Sequence, residues 1–211
     1  MIVSGAEPRP AGHVLAPVRL DTEGLRRAAG ATGEIANPHP ENPVGDAVRS
    51  RARDAAVLLP FIDAADGLRL LVTRRHRGIR FGGHVCFPGG RIDPGDPGPI
   101  AAALRETHEE IGVAPEWVDV LGTFGHYYTQ TGYRIVPVLG LLRDASVARC
   151  SDEVEALHEL DATRMMSGQH YKVSWYGNGR GHIAYEEAGV RVAGPTLSLI
   201  VGLHRRLLEQ T

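Results

Sequence analysis

Three glutamates, Glu106, Glu109 and Glu110, fall within five residues of one another in the run RETHEEIGV, a short distance after the turn PGGRIDPGDPG. At positions i, i+3 and i+4 of a helix, three carboxylates can converge on one point a few ångström from the axis. They then present the hard oxygen donors that Mg²⁺ or Mn²⁺ prefers. A cation there would relieve their mutual repulsion. Pro88-Gly89-Gly90 upstream lets backbone approach a ligand closely, so the Gly90 carbonyl is a candidate fourth donor. Arg105, next to the first glutamate, is placed to orient the carboxylates by charge-assisted hydrogen bonds.

The helix that carries them is expected from Ile100 to Ile111, with Pro99 at its first position and Gly112 ending it. Ile100, Ala103, Leu104, Thr107 and Ile111 share one arc and should pack on a sheet. The three glutamates occupy a second arc that points away from it. Upstream, AAVLLPFI and LRLLVTRR flank Asp66-Gly67 as a hairpin, and HVCF is a short strand. Downstream, WVDVLGTFG and YRIVPVLGLL are strands, SDEVEALHEL a short helix, Gly177-Asn178-Gly179 a hairpin turn, and Thr196 to Glu209 a core-packed final helix. Residues 1–50, with one short helix from Asp21 to Ala29 and a Gly/Asn/Pro-rich linker, are expected as an extension before a domain over 51–211. Mixed strands among helices predict an α/β (α+β) fold in which helices cover a mixed sheet.

Composition narrows the partners. A chain of 211 residues that is 43% hydrophobic can bury a full core, and its formal net charge of −2 gives no global basic field for nucleic acid or acidic lipid. Two cysteines are too few for a disulfide framework, which points to a reducing, cytoplasmic setting. No secretory leader is expected at the N-terminus, nor any run of about 18 apolar residues.

The segment from Gly90 to Val113 resembles the signature of the Nudix hydrolases: a glycine, an acid some residues later, then Arg-Glu, an apolar residue, any residue, Glu-Glu, any residue, glycine and an apolar residue. Here Thr107 replaces the apolar residue, the acid is Asp96 rather than glutamate, and the loop before Arg105 is one residue longer. The resemblance implies an α/β/α sandwich and metal-dependent cleavage of a nucleoside diphosphate linked to another group. Glu106, Glu109, Glu110 and Gly90 would be the metal ligands. For the base that deprotonates water, Glu109, Glu110 and, in a later loop, Glu153 all remain candidates.

Further runs, LLVTRRHRGIR, GGHVCFPGGRIDPGD, TQTGYRIVPVLGLL and SDEVEAL, are similar to the coenzyme A pyrophosphatase branch of that family, although the segment before Val85 departs from it. That branch implies coenzyme A or its thioesters as substrates. ADP-ribose, NADH or a related dinucleotide is the competing substrate class, and a nucleotide-sensing module the competing non-catalytic one. Such a ligand needs cations and polar groups away from the metal. Arg75 and Arg77, alternating along a strand end, His84 before the turn, and Thr131 in GHYYTQTGYR are the candidates, with Tyr127 or Tyr128 able to stack on a base. The last helix could also serve a homodimer.

Overall fold

The computed structural model describes residues 16–38, 43–144, 149–168, 170–175 and 181–209. After helices α1 (Thr22–Ala28) and α2 (Asp46–Arg49) come β1 (Arg53–Ala64), β2 (Gly67–Arg75), β3 (Val85–Cys86) and β4 (Gly89–Arg91). Helix α3 (Pro99–Ile111) leads to β5 (Val118–Thr123), β6 (Tyr127–Tyr128), β7 (Tyr133–Leu142) and β8 (Val154–Asp161). Then follow α4 (Ala162–Met166), β9 (Tyr171–Trp175), β10 (Gly181–Glu187), β11 (Val190–Ala193) and α5 (Gly194–Leu208).

The main sheet runs β3-β2-β1-β7-β5, with β4 paired to β1, β6 to β7 and β8 to β2. β1 and β7 are parallel, while β1 with β2 and β5 with β7 are antiparallel, so the sheet is mixed. Strand alternation sends β1 side chains to two cores. Ala56 and Leu58 meet Ala103 and Ile111 of α3 on one face. Leu59 and Phe61 meet Leu25 of α1 and Ile200 of α5 on the other, which also carries the small sheet β11-β10-β9. Helices therefore cover both faces of a mixed sheet.

Leu20, Leu25, Ala28 and Ile35, before position 50, enter that second core. Asp21 caps α1 by accepting from the Gly24 amide at 2.8 Å, and Leu25 and Ala28 are fully buried. Further on, the Ile35 amide donates to the His126 carbonyl at 2.7 Å, and Arg49 pairs with Glu34 while lying 4.8 Å from the Tyr128 ring.

Three expectations need correction. SDEVEALHEL is not helical from Val154 onward: it forms β8, because the free edge of β2 supplies ladder partners from Arg69↔Asp161 to Arg75↔Val154, which outweighs local helix preference. Ile100 does not pack on the sheet and is 38% exposed at the first turn of α3, where Ala102 takes the buried position instead. Glu110 does not point away from the sheet but is turned inward and buried. The Gly177-Asn178-Gly179 turn lies outside the described residues, although Trp175 and Gly181 on either side pair antiparallel. Among the described residues no helix is long and apolar enough to cross a membrane.

Candidate active site

Helix α3 starts at Pro99 and stops at Gly112, whose left-handed φ of 71° lets its amide close on the His108 carbonyl. Thr107, standing where the family has an apolar residue, is fully buried. Its hydroxyl is satisfied by the Ala103 carbonyl at 2.6 Å, so the polar substitution leaves no unpaired group against the sheet.

Alongside α3, β4 pairs with β1 in the register Ala56↔Gly90 and Val57↔Gly89. This brings two glycines against two glutamates. The Gly89 amide donates to Glu110 Oε2 at 3.1 Å, and a Cβ added to Gly90 would stand 2.4 Å from the Glu106 carboxyl carbon. Only a residue without a side chain admits Glu106 there. Burial pushes the Glu106 carboxyl above the usual carboxylate range, and pushes that of Glu110 up to about 7 despite the Gly89 amide and nearby Arg75.

Arg105 is the cation that holds this group as it stands. Its guanidinium reaches Asp96 at 3.0 Å, Glu106 at 3.1 Å, Glu109 at 3.2 Å and the Arg91 carbonyl at 3.1 Å. Asp96 meets it with both carboxylate oxygens and also accepts from the Asp93 amide. The Arg105 contact lowers the Asp96 carboxyl below its ordinary range. Asp96 thus anchors Arg105 across a loop one residue longer than the family pattern has.

Among the described residues, no three His, Cys, Asp or Glu side chains are gathered tightly enough to chelate one ion as they stand. The donor set nevertheless fits a hard divalent cation. Two half-buried or buried carboxyls raised by desolvation need positive charge to ionise, and the Gly90 backbone leaves room for the Glu106 carboxyl against it.

A second arginine meets the Glu110 oxygen that the Gly89 amide leaves free. Arg75 lies 3.4 Å from Glu110 and 3.6 Å from Glu153, and also lines a pocket with His84 and Thr131. Arg77 is elsewhere. β2 ends at Arg75, so the strand alternation that would put the two arginines on one side stops there; Arg77 pairs with Glu155 and its side chain is 80% exposed. Tyr127 sits with its ring in the core and its hydroxyl accepting from Ser198, while Tyr128 is stacked beneath Arg49. The remaining wall of the pocket, from Ala193 to Leu199, comes from a segment with no chemical signal in sequence, more than 80 residues past the glutamates.

A glycine strand beside an acidic helix, on a mixed sheet covered by helices, is the arrangement of one protein class. The chain belongs to the Nudix family, the NUDIX domain matching residues 52–175, and is a Nudix hydrolase. It is similar to an uncharacterized Nudix hydrolase, NudL, of Escherichia coli O7:K1 (strain IAI39 / ExPEC), at 35% identity over 132 residues that cover 62% of this chain and 69% of the relative. The NudL of Cronobacter sakazakii (strain ATCC BAA-894) is 38% identical over 140 residues, covering 59% and 72%. In three dimensions the chain is similar to the MutT protein from Methanosarcina mazei Go1, with a TM-score of 0.50 at 15% identity, covering 76% of this chain and 96% of that one. This last likeness is one of fold.

Proposed function

We propose that the protein hydrolyses, with Mg²⁺ or Mn²⁺, the diphosphate bond of coenzyme A or its thioesters, releasing 3',5'-ADP and 4'-phosphopantetheine or its acyl form. The observation that carries the reaction type is the meeting of Glu106 and Glu110 with the Gly89-Gly90 strand. Glu106, Glu109, Glu110 and the Gly90 carbonyl would hold the ion, which when bound neutralises non-bridging phosphate oxygens and lowers the pKa of a coordinated water.

The chain's own groups do the rest. Arg105, fixed by Asp96, sets the positions of Glu106 and Glu109. Arg75, between Glu110 and the pocket mouth, is positioned to take a phosphate oxygen of the bound substrate. The proton of the attacking water goes to Glu109 or Glu153, the members of the group that stay open to solvent. Support for coenzyme A comes from convergence: Arg75 from LLVTRRHRGIR, His84 from GGHVCFPGG and Thr131 from TQTGYR, three of the runs similar to the coenzyme A branch, line one pocket. The free thiols of Cys86 and Cys150 fit a reducing, cytoplasmic setting.

The test is mass spectrometry of products from coenzyme A, acetyl-coenzyme A, ADP-ribose and NADH, each with Mg²⁺ or Mn²⁺, for wild type and Glu110→Gln. Release of 3',5'-ADP and phosphopantetheine by wild type alone is expected. Turnover confined to ADP-ribose or NADH would remove coenzyme A while keeping the reaction type, and metal-independent binding without turnover would replace hydrolysis by sensing.

A further inference from the structure

Beyond Arg75 the site opens into a pocket of about 340 Å³, within the size range of small-molecule sites. Its floor is Val57 and Ile135 of the adjacent strands β1 and β7, with Phe87. Its outer wall is Ala193, at the end of β11, and Leu199 in α5. Both lie beyond residue 175, where the family match ends. Thr196 fastens that wall to the floor by donating to the Val85 carbonyl at 3.1 Å, so its hydroxyl is already engaged.

The other polar groups among the described lining residues are His84, the Arg75 guanidinium, which pairs with Glu110, the Cys86 thiol, which meets the Thr73 hydroxyl at 3.2 Å, and the Thr131 hydroxyl, which shares a hydrogen with Thr129 at 3.0 Å. Among the described residues, no carboxylate lines the pocket. One cation at one end and hydrocarbon behind it match a ligand with a phosphate at one end and an uncharged body. Thr131 and Pro195 also line a second pocket of about 210 Å³.

Phe81 adds an independent sign. It lines the mouth, is 46% exposed, belongs to neither buried cluster, and holds a left-handed φ of 60° that is strained for a bulky side chain. Burial does not compensate that strain.

We propose that this pocket holds the uncharged arm of the diphosphate substrate, with Phe81 covering it, and so selects a diphosphate joined to a long, mostly apolar arm over one joined to a second sugar. A pantetheine-type arm, with methyl and methylene groups, two amides, a single hydroxyl and a terminal thiol or thioester, matches it. A ribose would set hydroxyls against hydrocarbon without partners. The inference rests on the coenzyme A reading above and names the subsite that reading lacks.

The experiment titrates S-hexanoyl-pantetheine, which has the arm but no phosphate and no bond for the enzyme to cleave, into the metal-free protein by calorimetry. Hexanoyl-coenzyme A and ADP-ribose turnover with Mg²⁺ are measured in parallel. Wild type binds the arm; Ala193→Phe, which fills the pocket from an extended backbone position, weakens binding by at least about tenfold. Phe81→Gly weakens it as well, with a melting temperature equal to or above that of wild type, since the strain is released. Both variants raise KM for hexanoyl-coenzyme A by a larger factor than they raise KM for any ADP-ribose turnover. No binding by wild type, or equal binding by a folded Ala193→Phe, overturns the pocket assignment. Binding that Ala193→Phe abolishes, together with no hydrolysis of any diphosphate, removes the hydrolysis reading and leaves the arm subsite standing.

Discussion

The carboxyl group of Glu106 occupies the space that a side chain on Gly90 would need, since a Cβ there would stand 2.4 Å from it. Gly90→Ala therefore collides with the mobile end of a side chain, which can swing away, so the fold survives and Glu106 is displaced. Turnover should fall by about 100-fold, the upper end of what loss of a ligand-positioning contact costs, with a nearly unchanged melting temperature. Gly89→Ala is the contrast. Its Cβ would meet the Ala56 carbonyl oxygen at 2.4 Å at a φ of 147°, so that variant should lose stability in a thermal melt.

Glu110 makes stability depend on pH in an unusual direction. Its folded carboxyl titrates at about 7 against an ordinary 4.5, so between those values the folded chain keeps a proton that the unfolded chain has released. Stability from this group is full below the lower value and is lost as pH rises through the upper one, by about 3 kcal/mol at 1.36 kcal/mol per unit. Urea unfolding in chelator at about pH 5 and about pH 8 should show the loss in wild type and not in Glu110→Gln. Added Mg²⁺ should reduce it, since a cation favours the ionised form.

Arg105 ion-pairs with Asp96, Glu106 and Glu109 together, with Asp93 at 3.7 Å. Arg105→Ala should lower kcat by about 10–100-fold and weaken Mg²⁺ affinity, because the glutamates lose their common support. Arg105→Lys should recover only part of it, since an ammonium cannot meet both Asp96 oxygens while reaching the glutamates. Equal kcat for Arg105→Ala and wild type would remove the positioning role.

We infer that residues 1–50 are an extension the remaining chain cannot discard. Leu25 is fully buried in the core that includes α5, so Leu25→Ala should cost about 2–5 kcal/mol in urea unfolding. A truncation starting at residue 51 should expose that core and aggregate. A soluble truncation with a wild-type melting temperature would show instead that 51–211 is self-sufficient.

What could be read from the sequence was what is local. Pro99, Gly112 and the 3.6-residue spacing specify α3, and the paired apolar runs around Asp66-Gly67 specify β1 and β2, because caps and periodicity act over a few residues. What escaped depends on distant partners. The segment Val154–Asp161 has the composition of a helix and becomes a strand only because β2 offers an edge. Glu110 shares its arc with Glu109, yet only Glu110 lies buried, since β4 brings an amide to one and not the other. Asp96 was visible as an acid, but its pairing with Arg105 is a property of a folded loop, and Ala193 joins Arg75 only through α5 and β11.

The parallel ladder between β1 and β7 begins with Arg53 beside Tyr133, 80 residues later in the chain. Every carboxylate on α3 and both glycines of β4 lie inside that span. A refolding chain must close this whole loop before its two central strands reward one another, an entropic toll of the kind that slows folding. During synthesis the acidic helix leaves the ribosome well before the strand that completes the centre of its sheet, so through that interval the reactive groups exist without the framework that gives them a common geometry.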